Sequence, residues 1–132
     1  MSIPVSLANT TKGKHPRLPF DMLKNSILGS SYDLSLVFIG DTRSRTLNRT
    51  YRKKDKPTNV LSFPLDKNAG EILINLRQVE RETSKYGLNV KNLTGYLLIH
   101  GLLHLKGLEH GSTMDRAEQR FCTQFDIPYP LE

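Results

Sequence analysis

A single cysteine, Cys122, leaves no internal disulfide and no thiolate-based metal site to consider. A lone thiol also fits a reducing compartment. Long apolar runs are missing: the longest are Leu36–Ile39 and Leu97–Ile99, far short of a membrane span. The first ten residues hold no basic stretch followed by an apolar one, so no secretory signal is expected. The expectation is a soluble cytoplasmic protein with no membrane partner. Internal repeats, low-complexity segments and linkers are absent as well, and 132 residues are read as one domain, 1–132.

Acidic residues are few, 13 against 19 basic ones, for a formal charge of +6. The imbalance is local. Between Arg43 and Lys56 seven basic residues face one acid, Asp55, and that window alone nets +6. Charge concentrated in this way favours a polyanionic partner, although a solvated basic face has the same composition.

Apolar spacing predicts a short helix over 19–28, with Pro19 at its start, and a strand over 34–39 buried on both faces. Val5 and Leu7 alternate and suit a short edge strand. A helix capped by Asp41 or Thr42 should run to about Tyr51, with Leu47 and Tyr51 turned to the core. Strands follow at 60–63, ended or placed at an edge by Pro64, and at 71–75, pairing as a hairpin. Asn75 with Gln78 resembles a capping box for a helix ending before Gly87. The helix from about Asn92 to Lys106 is apolar around most of its circumference and should be the central one. Ser112 and Asp115 are candidate caps of a last helix packed through Met114, Ala117, Phe121 and Phe125.

Three of the four histidines stand in His100-Gly-Leu-Leu-His104-Leu-Lys-Gly107-Leu-Glu-His110. On a helix, His100 and His104 share one face, one turn apart. Gly107 can adopt the left-handed conformation that ends a helix and returns His110 to the other two. Three imidazoles around one ion leave a position open, as catalytic zinc sites do. Buried without a common partner, the same rings would leave several polar nitrogens to satisfy. His15, in a Lys/Gly/Pro context without ligand spacing, reads as loop.

The histidine spacing equals that of the metzincin proteases, whose general base is the Glu beside the first His. That position is Gly101 here, so the metal frame is present without the protease's base.

The histidine stretch resembles the His-Gly-x-Leu-His-Leu-x-Gly-Tyr-Asp-His signature of the YbeY endoribonuclease family. Leu47-Asn-Arg-Thr-Tyr-Arg-Lys-Lys-Asp-Lys-Pro-Thr-Asn-Val-Leu-Ser-Phe-Pro64 is similar to a second motif of that family, and Gly70-Glu-Ile-Leu-Ile74 to a third. Leu108, Glu109 and Glu71 stand where the family has Tyr, Asp and Asp. The resemblance implies an α+β fold, a small mixed β-sheet flanked by about five helices, with the central helix carrying the metal site.

It further implies a zinc-dependent, single-strand-specific endoribonuclease. Such an enzyme acts in ribosomal RNA maturation at the 3′ end of the small-subunit RNA and in ribosome quality control, with the small subunit as partner. One zinc ion would be held by His100, His104 and His110. Arg52 would be the catalytic arginine and a phosphate ligand, and Lys53, Lys54 and Lys56 would bind neighbouring phosphates. The competing reading of Arg52 is a structural ion pair with Asp55 or Glu71. Thr58, Asn59 and Ser62 are candidate donors to RNA, and Tyr51 is a candidate for base stacking if it is not core. Two alternatives from other classes are a zinc metallohydrolase acting on peptides and a non-catalytic, metal-stabilised RNA- or ribosome-binding module.

Overall fold

Residues 2–130 are described by the structure, a computed structural model. Four strands form one sheet in the order β1-β2-β4-β3: β1 (Ser6–Asn9), β2 (Asp33–Ile39), β3 (Val60–Asp66) and β4 (Ala69–Asn75). The first three in that order run parallel, and β3 is antiparallel to β4, so the sheet is mixed. Five helices flank it: α1 (Phe20–Leu28), α2 (Asp41–Arg52), α3 (Leu76–Tyr86), α4 (Val90–Leu105) and α5 (Ser112–Gln124). This is the α+β architecture expected.

Strand alternation divides the core in two. Leu34, Leu36, Phe38, Ile72 and Ile74 pack with Leu23, Ile27, Val79, Leu98, Leu102 and Phe121 from α1, α3, α4 and α5. Val37, Ile39, Leu61 and Leu73 point the other way and are covered by Leu47 of α2 and by Phe63. Helix α4 is central, touching α1, α3, α5, β3 and β4. Asn89 caps it, its side chain accepting from the Asn92 N–H at 2.8 Å, so the helix begins slightly before the predicted Asn92.

Pro64 lies inside β3, which is an edge strand, next to a register shift between Pro64 and Asp66; the missing N–H costs nothing on that side. Asn75 caps α3 by accepting from the Arg77 and Gln78 N–H groups, but the Gln78 side chain donates to Glu82 instead of reaching back, so the capping box is half formed. Gly40 and Gly111, not Asp41 or Ser112, occupy the cap positions of α2 and α5. The pairing of Leu47 with Tyr51 is also corrected. Leu47 packs on the sheet, whereas Tyr51 is 64% exposed. The deeply buried positions of α2 are the polar Ser44 and Asn48. Ser44 Oγ donates to the Thr58 carbonyl at 2.8 Å and accepts from the Thr58 N–H at 2.9 Å, while Asn48 Nδ2 donates to the Lys56 carbonyl at 2.8 Å. The inward face of α2 therefore fastens the loop that follows it.

Asp41 ties α2 to α3. Its carboxylate accepts from Arg81 at 2.9 and 2.6 Å and from Asn75 Nδ2 at 2.9 Å. Hydrogen bonds from Arg81 above all, opposed by burial and helped by Asn75, hold its pKa down to about 2. A carboxylate whose folded pKa lies below its unfolded value stabilises the fold above the unfolded pKa and loses that contribution as pH falls through the folded one. Asp41→Asn should therefore lower stability at pH 6 by about 1 kcal/mol, the full shift being discounted for solvent screening, with the gap closing near pH 2. Urea melts at both pH values test this; an equal gap at both would show that the charge is not the cause.

Candidate metal centre and its cleft

Helix α4 ends where Gly107 takes φ 105°, a conformation open to glycine. The Gly107 N–H reaches the His104 carbonyl at 2.9 Å and the Leu108 N–H reaches the Leu103 carbonyl at 3.0 Å, closing the turn. His110 comes back beside the helix, and one ring nitrogen from each of His100, His104 and His110 lies within 4.8 Å of the others. His100 and His104 are half-buried and His110 is exposed.

The second nitrogens of His100 and His104 are occupied. His104 Nδ1 stands 3.1 Å from the Leu108 carbonyl oxygen, which only accepts, so Nδ1 carries the hydrogen. His100 Nδ1 faces Glu118 Oε2 at 2.5 Å. In the neutral rings both Nε2 atoms are then bare lone pairs, and they face each other at 3.0 Å. Two lone pairs at that separation repel unless a cation is shared between them. Burial first, and the neighbouring His100 and His110 second, lower the pKa of His104 and so favour its neutral, ligating form. The donor set fits a zinc-type ion: three imidazole nitrogens, with the ring hydrogens of His100 and His104 fixed by a carboxylate and a carbonyl behind them.

Glu118 was not anticipated. It is 2% exposed on α5 and collects three donors: His100, Tyr96 OH at 3.2 Å and Tyr129 OH at 3.3 Å. Burial, and secondarily Glu118, raises the pKa of Tyr96, and the same causes push that of Tyr129 up to about 12, so both phenols remain donors. The sequence held a signal, since an acidic residue sits four positions after Met114 and three before Phe121 in the inward stripe of α5. Glu118→Gln keeps the size of the side chain but weakens the acceptor behind His100. Zinc affinity should fall roughly 10- to 100-fold, as read by competition with a chromophoric chelator. Unchanged affinity would make Glu118 a packing residue only.

Gly101 is buried on the sheet side of α4, with the Ser62 hydroxyl donating to its carbonyl at 3.3 Å. A Cβ there would meet Ser62 Oγ at 2.8 Å and Ile72 Cδ1 at 3.1 Å. A glutamate at this position would be driven into the sheet, so the protease's base has no room in this packing.

The three histidines open into a cleft of about 700 Å³ that follows the free edge of β3. Asn59, Val60, Leu61, Ser62 and Phe63 form its floor, Tyr96 and Glu118 stand on the histidine side, and Tyr51 and Arg52 stand on the other. Arg52 ends α2. Lys53 then takes the left-handed conformation at φ 57°, and Ser44 and Asn48 hold the loop, which fixes where the chain leaves the helix. Among the described residues, the ion pair offered as the alternative role of Arg52 is not formed. Asp55 is taken by Arg45 at 2.8 Å and Arg49 at 3.6 Å, Glu71 accepts from Ser35, and Arg52 Nη1 donates to Thr58 Oγ1 at 3.3 Å. Lys53, Lys54 and Lys56 are exposed beyond the cleft and do not line it. Asn59 Nδ2 is bound to Glu82 at 2.7 Å, which leaves it a structural tie. His15 lies away from the cluster, stacked on Phe38 at 4.9 Å between ring centroids.

The chain is similar to known proteins in both sequence and fold. The sequence model of the family described as Endoribonuclease YbeY matches residues 17–126. The protein called endoribonuclease YbeY of Pelotomaculum thermopropionicum is 32% identical over 127 residues, covering 88% of this chain and 84% of its own. The protein of the same name from a Nitratiruptor species is 40% identical over 105 residues, covering 74% and 73%. In three dimensions, the solution structure of a Thermotoga maritima protein superposes with a TM-score of 0.64 over 92% of this chain and 88% of its own. At 22% identity it shows a shared fold.

Proposed function

Because this chain belongs to the endoribonuclease YbeY family, and is accordingly a hydrolase that cuts RNA internally, we propose that it is a zinc-dependent, single-strand-specific enzyme of ribosomal RNA maturation. Residues 1–132 work as one domain in the cytoplasm, on the 3′ end of the small-subunit RNA and in ribosome quality control, with the small subunit as partner. The observation that supports this best is the shared cleft, in which bare imidazole nitrogens on one wall oppose an arginine that has no carboxylate partner among the described residues on the other.

His100, His104 and His110 would hold one zinc ion. Bound there, zinc supplies Lewis-acid chemistry at a phosphoryl oxygen and lowers the pKa of water. The rest falls to the chain's own residues. Glu118 fixes the hydrogen of His100 on Nδ1 and keeps Nε2 turned to the cleft. The Leu108 carbonyl does the same for His104. Arg52 presents a planar fork to a phosphate oxygen and stabilises the charge that builds on it as the P–O bond breaks. Lys53, Lys54 and Lys56 hold phosphates of the strand beyond the cleft on the side of Arg52, which makes binding fall with salt. Gly101 takes the place of the glutamate that the metzincin proteases use as base for peptide hydrolysis.

The test is cleavage of a single-stranded ribosomal RNA fragment, with casein in parallel, before and after chelation and with zinc restored. RNA should be cut only by the zinc-loaded protein, and casein should stay intact. RNA that is bound but never cut by zinc-loaded protein would make the chain a binding module. Cleaved casein would restore the peptidase.

A further inference from the structure

We propose that Tyr51, braced by Phe63, is a stacking platform for one nucleobase of the bound RNA strand, beside the phosphate site at Arg52. The inference rests on the RNA reading above and assigns a base-binding position within it.

Spacing from Leu47 should have put Tyr51 in the core, and it is not there. It stands 64% exposed, although its phenol ring has a large apolar surface. Its aromatic neighbour is Phe63, at 5.0 Å between centroids and 60° between planes. Phe63 is itself half-buried against the cluster of Val37, Ile39, Leu61 and Leu73. The core thus anchors Phe63, and Phe63 braces Tyr51 on one side while leaving most of the ring open. Helix α2 is fixed from below by Ser44 and Asn48, so Tyr51 stands on a rigid element. Leu65, at the register shift that follows in β3, is 66% exposed and adds apolar surface to the same edge strand.

Position then selects the ligand. Tyr51 precedes Arg52 in sequence, both line the histidine cleft, and Lys53 and Lys54 follow at once. An aromatic ring next to cations, along a cleft at a sheet edge, matches an extended chain of alternating flat apolar groups and phosphates. Every base offers a π-face, so such a platform is tolerant of sequence. A paired base is already stacked and cannot be laid on Tyr51 without opening the duplex. The platform therefore supplies a physical source for single-strand preference, which Arg52 and the lysines, reading phosphates alone, do not.

The experiment is a binding titration of zinc-loaded protein with a labelled single-stranded oligoribonucleotide, verified intact, at several salt concentrations. Tyr51→Ala should weaken binding roughly 5- to 100-fold at every salt concentration, leaving the slope of log affinity against log salt unchanged. Tyr51→Phe should bind as the wild type does. A series of oligonucleotides with one abasic residue each should contain a position at which wild type and Tyr51→Ala become equal. Binding of duplex RNA should be indifferent to Tyr51. Wild-type binding matched by Tyr51→Ala would overturn the inference, as would a loss that survives at every abasic position or comes with a shallower salt slope. Wild-type protein that binds no RNA would instead remove the RNA reading itself.

Discussion

Replacing His104 by alanine should leave the purified protein without zinc and without RNA cleavage. His104 is held at both nitrogens: Nδ1 is spent on the Leu108 carbonyl at 3.1 Å and Nε2 is aimed at His100 Nε2 at 3.0 Å. Removing it leaves His100, and an exposed His110 on a turn, to hold an ion by themselves. Losing a partner behind a ligand costs roughly 10- to 100-fold in affinity, and losing the ligand itself should exceed that range. Metal analysis of the dialysed protein measures the effect directly, and retained stoichiometric zinc would sink the three-histidine site.

A stability measurement separates this from misfolding. The wild type should melt higher when zinc is added, by about 2.7 kcal/mol of stabilisation at a free concentration one hundred times Kd. His104→Ala should show no such rise. Without metal the two proteins should differ by about 1 kcal/mol at most, since the lost Leu108 hydrogen bond is partly offset by relief of the facing lone pairs. Acid should act on the wild type in the same direction. The folded pKa of His104 lies below its ordinary value, so the neutral ring stabilises the fold above the unfolded pKa and that contribution is lost as pH falls below it. Protons compete with zinc for the same nitrogens over that range.

How the metal centre and the cleft are written into the chain differs from one residue to the next. The spacing of His100 and His104 and the left-handed turn at Gly107 are local, so the sequence carries them openly. Strands β2 and β4 announce themselves by apolar runs, and the β3–β4 hairpin by the turn between them. The insertion of β4 between β2 and β3 is decided by long-range packing, to which local pattern is blind. Helix α2 misleads because its inward face is polar. Ser44 and Asn48 are buried to hold loop backbone groups, and a search for apolar periodicity assigns that face to Leu47 and Tyr51 instead. Glu118 hides for the opposite reason, occupying an apolar stripe whose reading as core is correct for every neighbour. Gly101 was legible only as a missing base; its closeness to Ser62 Oγ and Ile72 explains why no side chain stands there.

Arg52→Ala should keep full zinc occupancy and lose RNA turnover by roughly 100- to 1,000-fold, the range seen when one preorganised donor to a developing oxyanion is removed. The two readouts must separate because Arg52 lies on α2 and the ligands on α4 and the turn after it, joined only across the cleft. Folding should barely notice the change. Arg52 is exposed, its one side-chain hydrogen bond among the described residues goes to Thr58 Oγ1 at 3.3 Å, and Thr58 remains held by Ser44. Arg52→Lys should recover part of the loss, since a point charge replaces the fork but not its bidentate geometry. Lys53→Ala supplies the contrast. A side chain beyond the cleft that binds a neighbouring phosphate should weaken binding and flatten the salt slope by about one while leaving the maximal rate in place. Arg52→Ala should depress the maximal rate itself, because its interaction strengthens as charge moves onto the phosphoryl oxygen. Single-turnover rates at saturating protein distinguish the two. An Arg52→Ala protein with an undiminished maximal rate and weaker binding would reduce Arg52 to one more phosphate clamp and leave the cleft with no charge stabiliser outside its metal centre.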